Sequence, residues 1–193
     1  MEYKGLQLPD IDLTDALNQA RQEFKYMLDE EISVDYLNRL QLHINLVNYF
    51  GNKLGKSFLN HDKSKITMLL PAYRIFRKDK EERTKEENDA LDMATLIHIT
   101  GASHHPEYWT DTNMSGFTRE SFCPNGVIDT TEMPEEAIDE MLCDWCSMSV
   151  EFENSPFDWF NKVNGTRWLF TQEQQQYILN TLHKLWDDEE FNF

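Results

Sequence analysis

Apolar residues recur at helical spacing along almost the whole chain. The clearest stripe alternates spacings of four and three, which places its members on one face of a helix. Its members are Tyr36, Leu40, His43, Val47, Phe50 and Leu54. Strand-like alternation and internal repeats are both absent from the sequence. The pattern therefore predicts an all-α fold, with His43 inside a buried stripe.

Capping residues and helix breakers give approximate boundaries for the first predicted helices. Thr14 suits the N-cap of a helix over 15–31. Ser33 suits the N-cap of a second helix, which should end near Gly51 or Gly55. We therefore expect two consecutive helices to fill the N-terminal third of the chain.

The same kinds of signal predict four further helices, over 64–77, 84–100, 134–152 and 172–187. Pro71 should start, kink or interrupt the first of these. Thr84 and Glu87 form a capping box, while Pro134 and Thr171 mark the starts of the last two helices. The prediction is a single-domain helical bundle of about six helices over residues 1–193.

A stretch of some thirty residues, 101–133, is rich in Gly, Ser, Thr, Asn and Pro. A loop of that length is unusual in a compact domain and is often functional. Tyr108 and Trp109 lie within it. Their rings could stack on a nucleobase, or they could anchor the loop to the core.

The formal net charge is −17, from 18 Lys and Arg against 35 Asp and Glu. This charge argues against a general affinity for nucleic acid or for anionic membranes. Residues 53–85 differ from the rest, because they hold ten basic and four acidic residues. Such a segment could attract a small anionic ligand, or it could be the solvated basic face of a helix and its loop.

The sequence carries no signal of secretion or of a membrane span. The N-terminus lacks a basic segment followed by an apolar one, and no run approaches the roughly 18 apolar residues that a span needs. Three cysteines do not make a disulfide framework. We expect Cys143 and Cys146 to pack in the core, and we expect a cytoplasmic protein with reduced thiols.

The segment F-L-N-H-D-K-S-K-I, residues 58–66, places a histidine and an aspartate among apolar residues. His61 and Asp62 offer nitrogen and oxygen ligands that can converge on one divalent cation. Asp144 lies on or beside the apolar face of the helix predicted over 134–152, and His98 points to the core side of its own helix. A buried carboxylate there would need a cation or hydrogen-bond donors.

Each of these residues, considered alone, can be explained as a core side chain whose polar atoms are satisfied by a hydrogen bond. Together they come from different helices or helix ends, and convergence in a bundle interior is how such folds build metal sites. The candidate ligands are His43, His61, Asp62, His98, His104, His105 and Asp144. Imidazoles and carboxylates suit Mn, Fe, Co, Ni or Zn better than Mg, so we expect one or two divalent transition-metal ions.

The order His, His-Asp, Asp on successive helices resembles the HD-domain superfamily of metal-dependent phosphohydrolases; here it reads His43, His61-Asp62 and Asp144. The chain is also similar to a small HD-like family common in bacteriophages and bacteria, through H-D-K-S-K, H-H-P-E-Y-W and C-D-W-C-S-M-S. The resemblance covers residues 36–160. It implies an HD-domain-like helical core, with the N- and C-terminal helices packed on it, and hydrolysis of phosphate esters, often in nucleotides. A phage-encoded member would work in the host cytoplasm.

H-D-K-S-K is similar, in addition, to the His-Asp-x-Gly-Lys motif of the cyclic-dinucleotide phosphodiesterase branch, in which the lysine contacts phosphate. Ser64 stands where that motif has glycine, and no Gly-Tyr-Pro follows. The similarity suggests that Lys65 neutralises charge on a phosphate.

These groups suggest the following roles. The first ion would be held by His43, His61, Asp62 and Asp144. His98, His104 and His105 have three alternative roles: to bind a second ion, to contact the substrate phosphate, or to act as general acids or bases. The candidate catalytic residues are Asp62 and Lys65, and the candidate substrate-binding residues are Lys63, Arg74, Tyr108 and Trp109.

Two functions are compatible with this sequence. One is a phosphohydrolase that uses metal-activated water on a phosphate ester or phosphodiester of a small nucleotide, including a cyclic nucleotide or dinucleotide. The other is a non-catalytic acidic protein whose HD-like site binds a metal or captures a nucleotide. A homo-oligomer is compatible with either function.

Overall fold

The computed structural model describes residues 1–23, 30–68, 72–110, 127–189 and 191. Within these ranges the chain is mostly helical, which confirms the predicted all-α class. Six α-helices in this described part contain eight residues or more, in agreement with the predicted bundle.

The described α-helices, in chain order, are α1 Thr14–Glu23, α2 Glu30–Lys53, α3 Ser64–Met68, α4 Tyr73–Phe76, α5 Lys85–Gly101, α6 Glu135–Phe152, α7 Pro156–Val163 and α8 Gln172–Trp186. Turns of 3-10 helix cover Lys80–Glu82 and Pro106–Trp109. Strand β1 Glu2–Tyr3 pairs antiparallel with β2 Leu6–Gln7. Strand β3 Ile128–Asp129 pairs in parallel with β4 Trp168–Leu169.

The predicted capping signals agree with the observed helix starts. The Thr84 side chain accepts from the backbone N–H of Glu87, and the Glu87 side chain accepts from that of Thr84, which completes the capping box of α5. Thr171 caps α8 in the same manner. Pro134 is the N-cap of α6, one residue before the position predicted for it.

One predicted helix start differs from the observed one. The described part of α2 starts at Glu30, so Ser33 lies inside the helix and is not its N-cap. Glu30 and Glu31 are good helix formers with no breaker after them, and the helix therefore extends past the serine. The helices predicted over 15–31 and 64–77 extend into residues 24–29 and 69–71, which lie outside the described part.

Helix α7 and the short strands were missed by the sequence pattern. Ser155 caps α7 and Pro156 occupies its first turn, a start signal that was present in the sequence. The strands have two residues each, which is too short for an alternating pattern to be recognised.

Helices α2 and α6 form the centre of the described fold. They pack against each other, and α8 packs on α6. The predicted stripe of α2 is buried, except that Leu54 is half-buried just beyond the helix end. Cys143 and Cys146 are fully buried in α6, as predicted. Along α2, His43 lies between Leu40 and Ile44 of one apolar cluster, and the buried residues of a second cluster begin at Leu46.

The turn that carries His61 and Asp62 is held against α2 by Asn48. The buried Asn48 side chain accepts from the backbone N–H of Phe58 at 2.8 Å and donates to the Phe58 carbonyl at 3.2 Å. Gly51 of α2 faces the same segment. A Cβ atom added to this glycine would stand 3.0 Å from the Phe58 ring and 3.1 Å from the Lys56 carbonyl oxygen. The glycine therefore permits the close approach of this turn to α2.

No helix in the described ranges is long and apolar enough to cross a membrane.

We expect Gly51→Ala to destabilise the protein, by less than about 3 kcal/mol, because the crowding of the added methyl group against Phe58 and the Lys56 carbonyl outweighs the about 1 kcal/mol that alanine gains over glycine in a helix. Gly101→Ala is the matched control, since no described atom lies within 4 Å of its added Cβ. That change should leave stability equal or raise it by less than about 1 kcal/mol. Urea unfolding measures both effects. Equal stabilities for the two variants would mean that the turn does not need the glycine.

Candidate metal centre

All seven ligands predicted from the sequence meet at one place in the structure. They are His43 from α2, His61 and Asp62 from the turn before α3, His98 from the last turn of α5, His104 and His105 from the segment after it, and Asp144 from α6. The imidazole and carboxylate atoms form three overlapping groups, within each of which every ligand atom lies within 4.8 Å of the others. Buried groups of this composition can hold a metal ion.

Asp62 lies close to imidazoles from all three groups. Its side chain is fully buried. Its Oδ2 lies 3.2 Å from His43 Nε2 and 3.4 Å from His61 Nε2. Its Oδ1 lies 3.2 Å from His98 Nε2 and 3.5 Å from His104 Nε2. One carboxylate therefore faces two different pairs of imidazoles, one with each oxygen.

The imidazoles on the Oδ2 side complete a first ligand set with Asp144. His43 Nε2 lies 3.1 Å from Asp144 Oδ1 and 3.3 Å from His61 Nε2. The Oδ1 side forms a second set in which His98 Nε2 lies 3.0 Å from His105 Nε2. Two nitrogens bound tetrahedrally to one zinc ion stand about 3.3–3.4 Å apart, so the distance between His43 Nε2 and His61 Nε2 fits a shared ion.

The outward-facing ring nitrogens have their own partners. His43 Nδ1 lies 2.9 Å from Glu151 and 3.0 Å from Ser147 Oγ. His61 Nδ1 lies 2.9 Å from Glu140, and His98 Nδ1 lies 3.1 Å from Ser64 Oγ. A carboxylate at Nδ1 fixes the orientation of the ring, so that Nε2 faces the cluster. Metal-binding histidines in proteins almost always carry such a partner.

These orienting residues were missed from the sequence, although a signal for them was present. Glu140, Asp144, Ser147 and Glu151 are spaced by four, three and four, so they form a polar stripe on one face of α6. A polar stripe on a helix that is otherwise buried on most sides marks a site to which other elements must bring partners.

The electrostatics of the cluster keep its carboxylates ionised. Burial would raise the pKa of Asp62, but His61 and Lys65 hold it well below its usual range. The pKa of Asp144 is likewise lowered against the effect of burial, mainly by His43. Burial would also raise the pKa of Glu140, but His104 and His61 lower it to about 2. The site therefore presents several anions to whatever occupies it.

The pKa values of His98 and His105 shift in the opposite direction to that of His43. Burial lowers the pKa of His98, and burial together with His104 lowers that of His105 well below its usual value, so both rings are neutral ligands at neutral pH. Burial also lowers the pKa of His43, but the carboxylates of Asp144 and Asp62 outweigh it and hold the value well above normal. The carboxylate cluster thus attracts positive charge to its centre.

Several buried polar atoms in the cluster have no hydrogen-bond partner among the described residues, although imidazole nitrogens lie close to them. They are Oδ1 of Asp62, Oδ1 of Asp144 and Nε2 of His104. Asp62 does form an ion pair with Lys65. Atoms that face one another at these distances without hydrogen-bond geometry fit a site in which they point at a common cation.

The backbone at Asp62 adds a further indication. Its φ is +54°, in the left-handed region that non-glycine residues rarely adopt. Such a conformation costs of order 1–3 kcal/mol and is concentrated at functional sites. It turns the Asp62 side chain into the cluster while its carbonyl accepts from the N–H of Lys65 at 2.8 Å.

The predicted catalytic and substrate-binding residues lie as follows. Lys65 is next to the cluster, through its ion pair with Asp62. Lys63 instead donates to Asn60, and Tyr108 is 46% exposed. Trp109 donates to the Ser103 carbonyl and packs on the core. The side chain of Arg74 lies outside the described part.

The fold and this site define an all-α protein with a buried His/Asp cluster that can hold a metal ion. The chain belongs to the family described as DUF5662, a family of unknown function, whose model matches residues 33–184. A search of curated proteins and a search of solved structures each gave no match.

We expect His61→Ala and Asp144→Asn to lower the amount of metal bound after equilibration with Mn²⁺ or Zn²⁺ and dialysis, because each variant removes a donor from the first set. Metal at 100 times its dissociation constant stabilises a folded protein by about 2.7 kcal/mol, so added metal should raise the melting temperature of these variants less than that of the wild type. The control is His183→Ala, whose ring is exposed and contacts Asp187 outside the cluster. Unchanged metal content in both cluster variants would contradict the site.

A second expectation concerns orientation of the ligands. Glu140→Gln removes the charge beside His61 Nδ1 and His104 Nδ1, and we expect about 10–100-fold weaker metal binding with the fold retained. Glu136→Gln, one turn earlier on α6 and exposed, should bind metal as the wild type does. Titration calorimetry with Zn²⁺ compares the two. Identical affinities would mean that Glu140 does not orient the rings.

Proposed function

We propose that this protein is a metal-dependent phosphohydrolase of the HD-domain type, which cleaves a phosphate ester or phosphodiester of a small nucleotide. The observation that best supports this function is that the His/Asp cluster borders a cavity lined by basic side chains. The cavity gives a phosphorylated ligand a place to bind beside the candidate ions.

This basic cavity has a volume of about 650 Å³, within the usual range for small-molecule sites. Among the described residues, its cations are Arg39, Lys65, Lys80 and Arg83, its carboxylates are Asp92 and Glu151, and its aromatic rings include Tyr36, Tyr73 and Phe76. His43 of the cluster also lines it. Cations outnumber carboxylates here on a chain with a net charge of −17, which favours an anionic ligand at this position.

Lys65 connects the cavity to the cluster. Its ammonium pairs with Asp62, and its side chain also lines the basic cavity. Burial would lower the pKa of Lys65, but the Asp62 carboxylate raises it, so the side chain stays protonated. A fixed positive charge at this point would stabilise negative charge that develops on a phosphoryl group during hydrolysis.

The donor set fits a divalent transition metal such as Mn, Fe, Co, Ni or Zn better than Mg, because imidazole nitrogens predominate. A bound ion of this kind lowers the pKa of its water and polarises a phosphoryl oxygen. The chain would hold the reactants for that chemistry: Asp62 and Asp144 contribute anionic ligands, the imidazoles are held by their outer partners, and Arg39 and Lys80 attract the phosphorylated substrate.

The resemblance to HD domains adds support to this proposal. The residues that match the order His, His-Asp, Asp come from separate elements and lie together. His43 and Asp144 are 3.1 Å apart although they are on different helices, and both belong to the group that contains His61. We propose that the protein acts as a cytoplasmic enzyme on a small nucleotide-like substrate.

We expect Lys65→Ala to retain metal but to lower turnover of bis(p-nitrophenyl) phosphate by about 10²–10³-fold, because it removes a charge that acts on the transition state. Lys85→Ala is the control: this lysine belongs to the same basic segment but is exposed and pairs with Asp89. Steady-state rates with Mn²⁺ or Co²⁺, measured together with metal content, compare the two.

Equal, small losses in the two lysine variants would contradict the role of Lys65. Bound metal without turnover on this ester and on a panel of nucleotides would contradict the enzyme and favour a non-catalytic binding protein. Turnover that disappears with a chelator and returns with added metal is the expected result.

A further inference from the structure

A second cavity borders the same cluster. Its volume is about 460 Å³. Its most distinctive lining side chains are Trp145, Trp159, Trp168, Phe152, Lys162 and Arg167. Asp144 and His105, one from each ligand set, line it as well. We refer to it as the tryptophan cavity.

The tryptophan cavity and the basic cavity lie on two sides of Met148, the residue that lines both. Successive residues of an α-helix are about 100° apart, so Glu151 lies about 60° from Met148 in one direction around α6, and Phe152 about 40° in the other. Glu151 lines the basic cavity and Phe152 the tryptophan cavity. The cluster is therefore reached from both: through His43 on one side, and through Asp144 and His105 on the other.

The two cavities offer different chemistry. The basic cavity has four cations and suits a group with negative charge. In the tryptophan cavity, the rings of Trp145 and Trp168 are stacked 5.8 Å apart, and Trp159 meets Trp168 edge-on. Arg167 lies 4.3 Å from the centroid of the Trp168 ring. Trp145 and Trp168 are buried against each other, so the exposed ring of Phe152 and the half-buried ring of Trp159 are the aromatic surfaces open to a ligand, and they suit a planar aromatic group such as a nucleobase.

From this arrangement, and on the basis of the proposed function, we propose that the substrate is a phosphodiester. Its phosphate lies at the cluster, one ester group lies in the basic cavity, and the other, which is aromatic, lies in the tryptophan cavity. A phosphomonoester has one ester group and would fill only one of the two. Cavities of about 650 and 460 Å³ are each large enough for a nucleoside-sized group.

The reaction is a hydrolysis that needs no further reactant. The oxygen of water bonds to phosphorus, one P–O ester bond breaks, and a proton from the water goes to the departing oxygen. The products are a phosphomonoester and an alcohol, and each is left in its own cavity.

Phe76 and Phe152 provide a matched pair of variants. Phe76 is 58% exposed and lines the basic cavity, and Phe152 is 59% exposed and lines the tryptophan cavity. Because both rings are largely exposed, Phe76→Ala and Phe152→Ala should fold and bind metal as the wild type does. Val34→Ala is the control, since Val34 is 40% exposed on α2 and is not among the lining residues of either cavity.

The test uses the Mn²⁺-loaded full chain with two substrates, the p-nitrophenyl diester of thymidine 5′-phosphate and the monoester p-nitrophenyl phosphate. We expect kcat/KM to be at least tenfold higher for the diester. Each phenylalanine variant should raise KM for the diester about tenfold with little change in kcat, as expected for a lost stacking contact. For the monoester, no more than one of the two variants should change KM.

Two results would overturn the diester proposal while leaving the phosphohydrolase intact: a higher kcat/KM for the monoester, or a diester KM that responds to only one phenylalanine variant. Val34→Ala should match the wild type on both substrates, and an equal rise in its KM would also overturn the assignment of the cavities. Absence of turnover of either ester by metal-loaded protein would instead overturn the proposed function, and the diester proposal with it.

Discussion

The buried carboxylate of Asp62 is the constraint on which the rest of this structure depends. An isolated ionised carboxylate inside a protein is strongly unfavourable, and it persists only with positive charge or hydrogen-bond donors around it. Asp62 has the ammonium of Lys65 on one oxygen and imidazoles on both. Its backbone is also in the left-handed region. Neither feature is explained by packing alone, and both are accounted for if the residue is a shared ligand at the centre of a metal site.

The scaffold holds this carboxylate by means of two central helices and one turn. Helix α2 contributes His43 and, one turn later, the Asn48 side chain that holds the turn at Phe58. Helix α6 contributes Asp144 and the residues that orient the imidazoles. Because both helices are buried on most sides, their polar residues cannot turn to water and must satisfy one another. The contacts that pack these two helices in the core therefore also set the geometry of the site.

Charge is distributed so that the site differs from the rest of the molecule. The chain is strongly acidic, yet the cavity beside the cluster is lined by more cations than carboxylates. A local positive cavity on an acidic surface attracts small anions while the surrounding charge repels polyanions such as nucleic acid. This contrast is consistent with a small phosphorylated ligand.

The sequence by itself determined the helical class, the main helix starts and the candidate ligands. Helical spacing identified the stripe through His43 and Val47. Side-chain capping at Thr84 and Thr171 depends only on neighbouring residues, so it could be predicted from the sequence. His61 and Asp62 were identified as ligands because a packed core seldom needs a histidine and an aspartate next to each other among apolar residues. Boundaries without a strong cap, as at Ser33, were displaced because weak propensities allow a helix to extend.

Only the tertiary structure decided which atoms face one another. That Asp62 meets one pair of imidazoles with each oxygen, that Glu140 and Glu151 lie behind the rings, and that two cavities flank Met148 all depend on contacts between residues far apart in the chain. Helical periodicity fixes the face on which a residue lies, but it does not fix the rotation and separation of one helix relative to another. Those quantities are set by the packing of the whole core, and in this protein they are what turn a list of candidate ligands into a site.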